Sequence, residues 1–208
     1  MEMPLWYKQS GFRFNLSDGR VLYIDPWDVP QNEPYADFIF ITHAHYDHFD
    51  MNSIERLKSQ KTIIISPEDV AREISGAQAV TPGIHKTIEG ITFTTIPAYN
   101  LHKPFHPKKN NWVGYILNLE GQNWYHAGDT DHVPEMDAIH AHTALLPIGG
   151  TYTMNAQEAA EAANTFKPDK AVPIHYGSVV GDSTDAQDFQ KLCTVPVTLL
   201  TPYFSLHH

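Results

Sequence analysis

The sequence predicts an α+β fold, in which strand hairpins interleave with a few short helices that pack outside a pair of sheets. Three observations point there. Glu89-Gly90 and Glu120-Gly121 are turns flanked by alternating apolar residues, the pattern of hairpins. Asn155 with Glu158 three residues on, and Ser66-Pro67 ahead of Glu68-Asp69, are helix starts. Each group of histidines and aspartates follows a short apolar run, so a scaffold can aim several side chains at one cavity from strand ends and loops.

In chain order, Phe12 and Phe14 alternate with polar neighbours, Ser17-Asp18-Gly19 is a turn, and residues 20–24 are a strand closed by Asp25-Pro26. Asp25 is either a turn residue or a hydrogen-bonding support for a metal ligand. Trp6, Tyr7 and Trp27 are packing residues. Asp50 or Asn52 caps a helix with Ile54 and Leu57 on one face. A strand over 62–65 leads to a second helix, with Ser66 as cap, Pro67 as first residue and Gly76 at its end. Residues 84–97 are a hairpin. The stretch 98–112 is a long polar and basic loop with His102, Lys103, His106, Lys108 and Lys109, of a length that is usually functional or disordered. A second hairpin pairs 113–119 with 123–126 and delivers Gly128-Asp129-Thr130. A strand at 144–146 leads to Pro147-Ile148-Gly149-Gly150, a helix covers 156–166, and a strand over 170–173 delivers His175. The last helix starts at Thr184 with Gln187 as capping partner, and the last strand is 197–200. Without tandem repeats or a linker, the chain reads as a single domain over 1–208.

The stretch Ile39-Phe40-Ile41-Thr42-His43-Ala44-His45-Tyr46-Asp47-His48 is a β-branched and aromatic run that stops at three histidines and an aspartate. Imidazoles and carboxylates are ligands for a borderline divalent ion such as Zn²⁺. In extended chain His43 and His45 project to the same side and can grip one ion. If a helix follows at once, Asp47 and His48 face the same cavity from its first turn and can hold a second.

His-x-His-x-Asp-His after a hydrophobic strand resembles the first signature of the metallo-β-lactamase superfamily. Three later stretches match in order: Ile96-Pro97-Ala98-Tyr99-Asn100, Tyr125-His126-Ala127-Gly128-Asp129-Thr130 and Val172-Pro173-Ile174-His175-Tyr176-Gly177. Val21-Leu22-Tyr23-Ile24-Asp25-Pro26 resembles the opening strands of the same fold. The resemblance implies an αββα four-layer sandwich, the metallo-β-lactamase fold, and a metal-dependent hydrolase. It also implies two Zn²⁺ ions, with Mn²⁺ or Fe²⁺ as alternatives: His43, His45 and a third residue on metal 1, Asp47, His48 and His175 on metal 2, and Asp129 bridging. Asp47, Asp129 and His175 are then also the catalytic set. Asn100 stands where the family usually has the third histidine of metal 1, and a neutral amide is a poor Zn²⁺ ligand. Either metal 1 is weak or a nearby imidazole substitutes. Of His102 and His106, His106 is favoured, because Pro104 and Pro107 stiffen its loop. A histidine at the second position argues against the family's di-iron branch, which has glutamate there. The motifs look most like the small cytoplasmic hydrolases grouped with L-ascorbate-6-phosphate lactonase.

Two such ions lower the pKa of a bridging water to about 7 and polarise a carbonyl or phosphoryl oxygen. The expected reaction is therefore metal-activated hydrolysis of a small ester, lactone or phosphodiester, with a ribonuclease or a non-catalytic metal-binding or ligand-sensing domain as the alternatives. The expected partner is a small molecule, phosphorylated or carboxylated if Lys103, Lys108 and Lys109 face it rather than solvent. With 14 basic and 24 acidic residues the formal charge of −10 repels a phosphate backbone and argues against nucleic acid. No apolar run reaches the roughly 20 residues of a membrane span, and the first residues lack a signal-peptide core, so the expected location is the cytoplasm. The single cysteine, Cys193, cannot form an internal disulfide and reads as a packed thiol rather than a nucleophile. Thr153 reads as a capping or packing residue, and His207 and His208 carry no argument.

Overall fold

The computed structural model describes residues 2–203, so His207 and His208 lie outside the described residues. Among the described residues, internal contacts divide the chain into two compact units, one formed by 2–80 with 201–203, the other by Thr81–Leu200. Each is built on one six-stranded sheet, and the helices are few and short.

The first unit runs β1 (Leu5–Trp6), β2 (Phe12–Asn15), β3 (Val21–Ile24), β4 (Phe38–Phe40), α1 (Met51–Leu57), β5 (Ile63–Pro67), α2 (Glu68–Ala71) and β6 (Gln78–Val80). Its strands lie in sequence order, antiparallel from β1 to β3 and parallel from β3 to β6. All three residues of β4 are buried, as a central parallel strand covered on both faces requires. The Asp50 side chain caps α1 by accepting from the Asn52 amide, and the helix buries Ile54 and Leu57 against Tyr7, Tyr23, Ile39 and Ile41. Each such aliphatic side chain contributes about 1.5–3 kcal/mol. The second helix differs from expectation: Pro67 holds the cap position without a side-chain bond, and the helix ends at Ala71 rather than Gly76. Ser66 is unavailable as a cap because β5 claims it, opposite Ala79 of β6.

The second unit runs β7 (His85–Ile88), β8 (Ile91–Pro97), β9 (Val113–Leu119), β10 (Gln122–His126), β11 (Thr143–Pro147), α3 (Ala156–Phe166), β12 (Lys170–Ile174) and α4 (Ser183–Leu192). The sheet order is β12-β11-β10-β9-β8-β7, with β10, β11 and β12 parallel and the rest antiparallel. Both hairpins form where the sequence places them. Glu89, Gly90, Glu120 and Gly121 all have positive φ, the backbone that a two-residue turn matched to strand twist needs. Asn155 and Glu158 close a capping box at α3, whose alanine face joins the core with Phe166 and Phe189. At α4 the cap is Asp182 with Asp185, not Thr184 with Gln187, because the Asp182 carboxylate reaches the Thr184 amide. The expected strand at 197–200 is reduced to a single bridge between Val197 and Ala171. Burial pushes the Cys193 thiol up to about 11, so it stays protonated at neutral pH. No helix among the described residues is long and apolar enough to cross a membrane.

Candidate metal centre

In the first unit the ligand-type residues leave the carboxyl ends of adjacent parallel strands, Asp25 after β3 and Thr42, His43 and His45 after β4. Open sheets of this kind bind ligands at those ends. No helix follows the motif directly. The His48 and Phe49 amides both donate to the His45 carbonyl, at 3.0 and 2.8 Å, so Asp47 and His48 sit in a single turn ahead of α1.

Asp25 resolves its two readings as a support. It is fully buried and left-handed, with φ of 46°. Its Oδ1 accepts from the Thr42 amide at 2.8 Å, and its Oδ2 accepts from the Thr42 hydroxyl and from His48 Nδ1, both at 2.7 Å. A carboxylate only accepts, so the His48 proton sits on Nδ1 and leaves a lone pair on Nε2. The same logic reaches His43. The Thr42 hydroxyl spends its one proton on Asp25, so at 2.9 Å it must accept from His43 Nδ1. One buried carboxylate thus sets the tautomer of both imidazoles, as outer partners of metal ligands do.

His43 Nε2 lies 3.1 Å from His45 Nδ1. Two ligands about 2.0–2.1 Å from a tetrahedral zinc stand about 3.3 Å apart, so this spacing is the edge of such a site. Asp47 Oδ2 lies 3.8 Å from His48 Nε2 and accepts from Gln9 Nε2 at 3.2 Å.

The second unit assembles Asp129, His175 and His106. Asp129 follows β10 and His175 follows β12 with φ of 59°. Asp129 Oδ2 lies 3.3 Å from His106 Nε2 and 3.1 Å from His175 Nε2, again near the edge length of a tetrahedral site. A single carboxylate oxygen close to two imidazole nitrogens is a donor set that a divalent ion can use. The donor set of each unit, imidazole nitrogens and carboxylate oxygens, with the outer nitrogens of His43, His48 and His106 directed to fixed acceptors, fits divalent ions such as Zn²⁺.

Of Asn100, His102 and His106, His106 is buried beside Asp129, whereas His102 is exposed. Asn100 is buried and turned to other partners: its amide donates to Asp131 Oδ1 at 3.0 Å and to the Tyr152 carbonyl at 2.9 Å, and its oxygen faces His106. Two of the three loop lysines are engaged within the chain. Lys103 donates to Asp131 Oδ1 at 2.7 Å and to the Thr153 carbonyl at 2.9 Å. Lys108 donates to Glu135 at 2.9 Å and to the Tyr99 hydroxyl at 3.1 Å, contacts that hold its pKa above the usual lysine value. Thr153 is fully buried, and its hydroxyl donates to the Met154 carbonyl.

Four residues of the centre carry no sequence signal of their role: Gln9, Thr42, Asn100 and Gly149. A Cβ added to Gly149 would lie 2.5 Å from the His175 carbonyl and 3.3 Å from His175 Nδ1. The carbonyl is backbone and yields little, so Gly149→Ala should displace His175. Such overpacking costs about 1–3 kcal/mol, and an ångström of misplacement costs on the order of 100-fold in rate. The expected result is a lowered Tm together with at least a tenfold loss of metal affinity by titration; unchanged affinity would show that Gly149 does not set the position of His175.

A model of the beta-lactamase superfamily domain matches residues 5–175, and the chain belongs to that superfamily. Among its relatives is a UPF0173 metal-dependent hydrolase of Thermococcus kodakarensis, 33% identical over 196 residues that cover 86% of this chain and 87% of the relative. A solved structure described as a metal-dependent hydrolase of Parabacteroides distasonis superposes with a TM-score of 0.86 at 29% identity, covering 94% of this chain and 91% of that one. Igni18, a metallo hydrolase of Ignicoccus hospitalis, superposes with a TM-score of 0.78 at 25% identity, covering 96% and 94%.

Proposed function

We propose that this protein is a metal-dependent hydrolase of a small ester, lactone or phosphodiester and that it uses two Zn²⁺ ions. The observation that carries the reading is the spacing of ligand atoms in each unit, 3.1 Å for His43 and His45 and 3.3 and 3.1 Å around Asp129, with imidazole protons held away by Asp25 and its partner Thr42. In this reading His43, His45 and His106 would hold one ion, Asp47, His48 and His175 the other, and Asp129 would serve both; the family resemblance implies this set except for His106, which stands in for the family's third histidine. Ions bound there supply Lewis acidity for the scissile carbonyl or phosphoryl oxygen and make an attacking water acidic at neutral pH.

The chain's own residues do the rest. Asp47, steadied by Gln9, is placed to take the proton that the attacking water loses. Asp129 and Asp47 balance ionic charge, and the Asp25–Thr42 pair keeps His43 and His48 presenting bare nitrogens. With Lys103 and Lys108 held by Asp131 and Glu135, a phosphate or carboxylate on the substrate has at most Lys109 to meet on this loop, so we assign no anionic handle to the substrate.

Protein loaded with Zn²⁺, Mn²⁺ or Fe²⁺ should be assayed against neutral aryl esters, simple lactones and bis-aryl phosphodiesters. Turnover of at least one class, dependent on the ion, is expected. A fully loaded protein inert toward all three would overturn the hydrolase reading.

A further inference from the structure

We infer that Asn100 is the positioning residue of His106: it fixes the tautomer and the aim of that imidazole, so that histidine does from a loop what the family does with a histidine at position 100. The inference rests on the reading above, in which His106 holds an ion.

The direction of the Asn100 carboxamide follows from partners that have no choice. The His106 amide can only donate, and it lies 2.9 Å from Asn100 Oδ1, so that atom is the oxygen. On the other side the Asp131 carboxylate and the Tyr152 carbonyl can only accept, so the atom facing them is the nitrogen. The same Oδ1 is 3.0 Å from His106 Nδ1 and offers no proton. Nδ1 must therefore carry the hydrogen, and in the neutral imidazole Nε2, 3.3 Å from Asp129, is then the bare nitrogen.

The carboxamide is itself clamped. Asp131 Oδ1, which takes one Asn100 hydrogen, also takes Lys103 Nζ, and Asp131 Oδ2 accepts from the Leu101 amide at 2.8 Å. The Asn100 amide donates to the His106 carbonyl at 2.8 Å, so the loop between the two residues is closed at its base by backbone and side chain together. Lys103 thus serves the clamp, which gives this half-buried cation a structural reason to be there. A histidine at 100 could not accept from two N–H groups while donating to two oxygens, so this arrangement is specific to a carboxamide.

The test begins with the wild type and needs no bound metal. Long-range ¹H–¹⁵N correlation spectra of the metal-free protein, recorded about two pH units above the ordinary histidine pKa, report the tautomer of each neutral imidazole, and the signal lost in His106→Gln identifies His106. The expected result is the Nδ1–H form. Asn100→Ala, which removes the acceptor, should mix the tautomers and lower the affinity for one equivalent of Zn²⁺ by about 10–100-fold, the usual cost of losing an outer partner of a ligand. An Nε2–H form in the wild type would overturn the inference without any variant having to fold. So would Asn100→Ala with tautomer and Zn²⁺ affinity unchanged. If the wild type shows an Asn100-dependent Nδ1–H tautomer but binds no ion, the hydrolase reading fails while the positioning of His106 by Asn100 stands.

Discussion

Asp129→Ala is expected to strip the protein of metal and to abolish hydrolysis, as a chelator should in the wild type. Its Oδ2 lies within 3.3 Å of both His106 Nε2 and His175 Nε2, so in the proposed centre its removal would take away a donor that works beside both imidazoles. A Lewis acid supplies several kcal/mol of transition-state stabilisation, and at about 1.4 kcal/mol per decade its loss amounts to roughly 10³-fold or more in kcat/KM. Asp129→Asn is the sharper variant: it keeps the volume and the turn but removes the charge that balances the ions, so it should fold as the wild type does and still bind metal poorly. Metal content by mass spectrometry, read beside turnover, separates the two effects. Undiminished turnover by chelator-treated, metal-free protein would sink the mechanism.

The histidine run could be read from the sequence because its ligands are neighbours in the chain, and strand periodicity alone projects His43 and His45 to one side. Asp129 and His175 stood out only through the motifs that carry the family resemblance, which follow β10 and β12. What could not be read depends on partners distant in sequence. Nothing local marks Gln9, whose side chain reaches Asp47 across 38 positions, or Asn100, whose amide meets Asp131 across 31. The settings of two loop lysines were unreadable for the same reason, since their partners Asp131 and Glu135 lie 28 and 27 positions away. Helix signals failed where two structures competed for one residue. Ser66 is a good cap by type, but pairing with β6 keeps it in a strand, and at α4 Asp182 caps the helix two residues ahead of Thr184.

Asp25 offers the second large effect, and its two simplest variants should fail in different ways. Asp25→Ala leaves the buried Thr42 amide, Thr42 hydroxyl and His48 Nδ1 without their acceptor, and it puts a Cβ-bearing residue with no local hydrogen bond into a backbone with φ of 46°. Buried donors left unsatisfied cost about 1–3 kcal/mol each, so a loss of several kcal/mol and a large fall in Tm are expected. Asp25→Asn keeps the shape, and asparagine tolerates the left-handed backbone. Its oxygen must face the Thr42 amide, which can only donate, and this turns its NH₂ toward the Thr42 hydroxyl and His48 Nδ1. That group donates where the carboxylate accepted, so His48 Nδ1 becomes the acceptor and its proton moves to Nε2, the nitrogen proposed to meet the ion. The variant should therefore melt within a few degrees of the wild type yet bind Zn²⁺ about 10–100-fold more weakly. Calorimetric titration and a thermal melt on the same preparation decide the matter: a well-folded Asp25→Asn protein with wild-type Zn²⁺ affinity would show that the carboxylate does not govern how His48 presents its nitrogen.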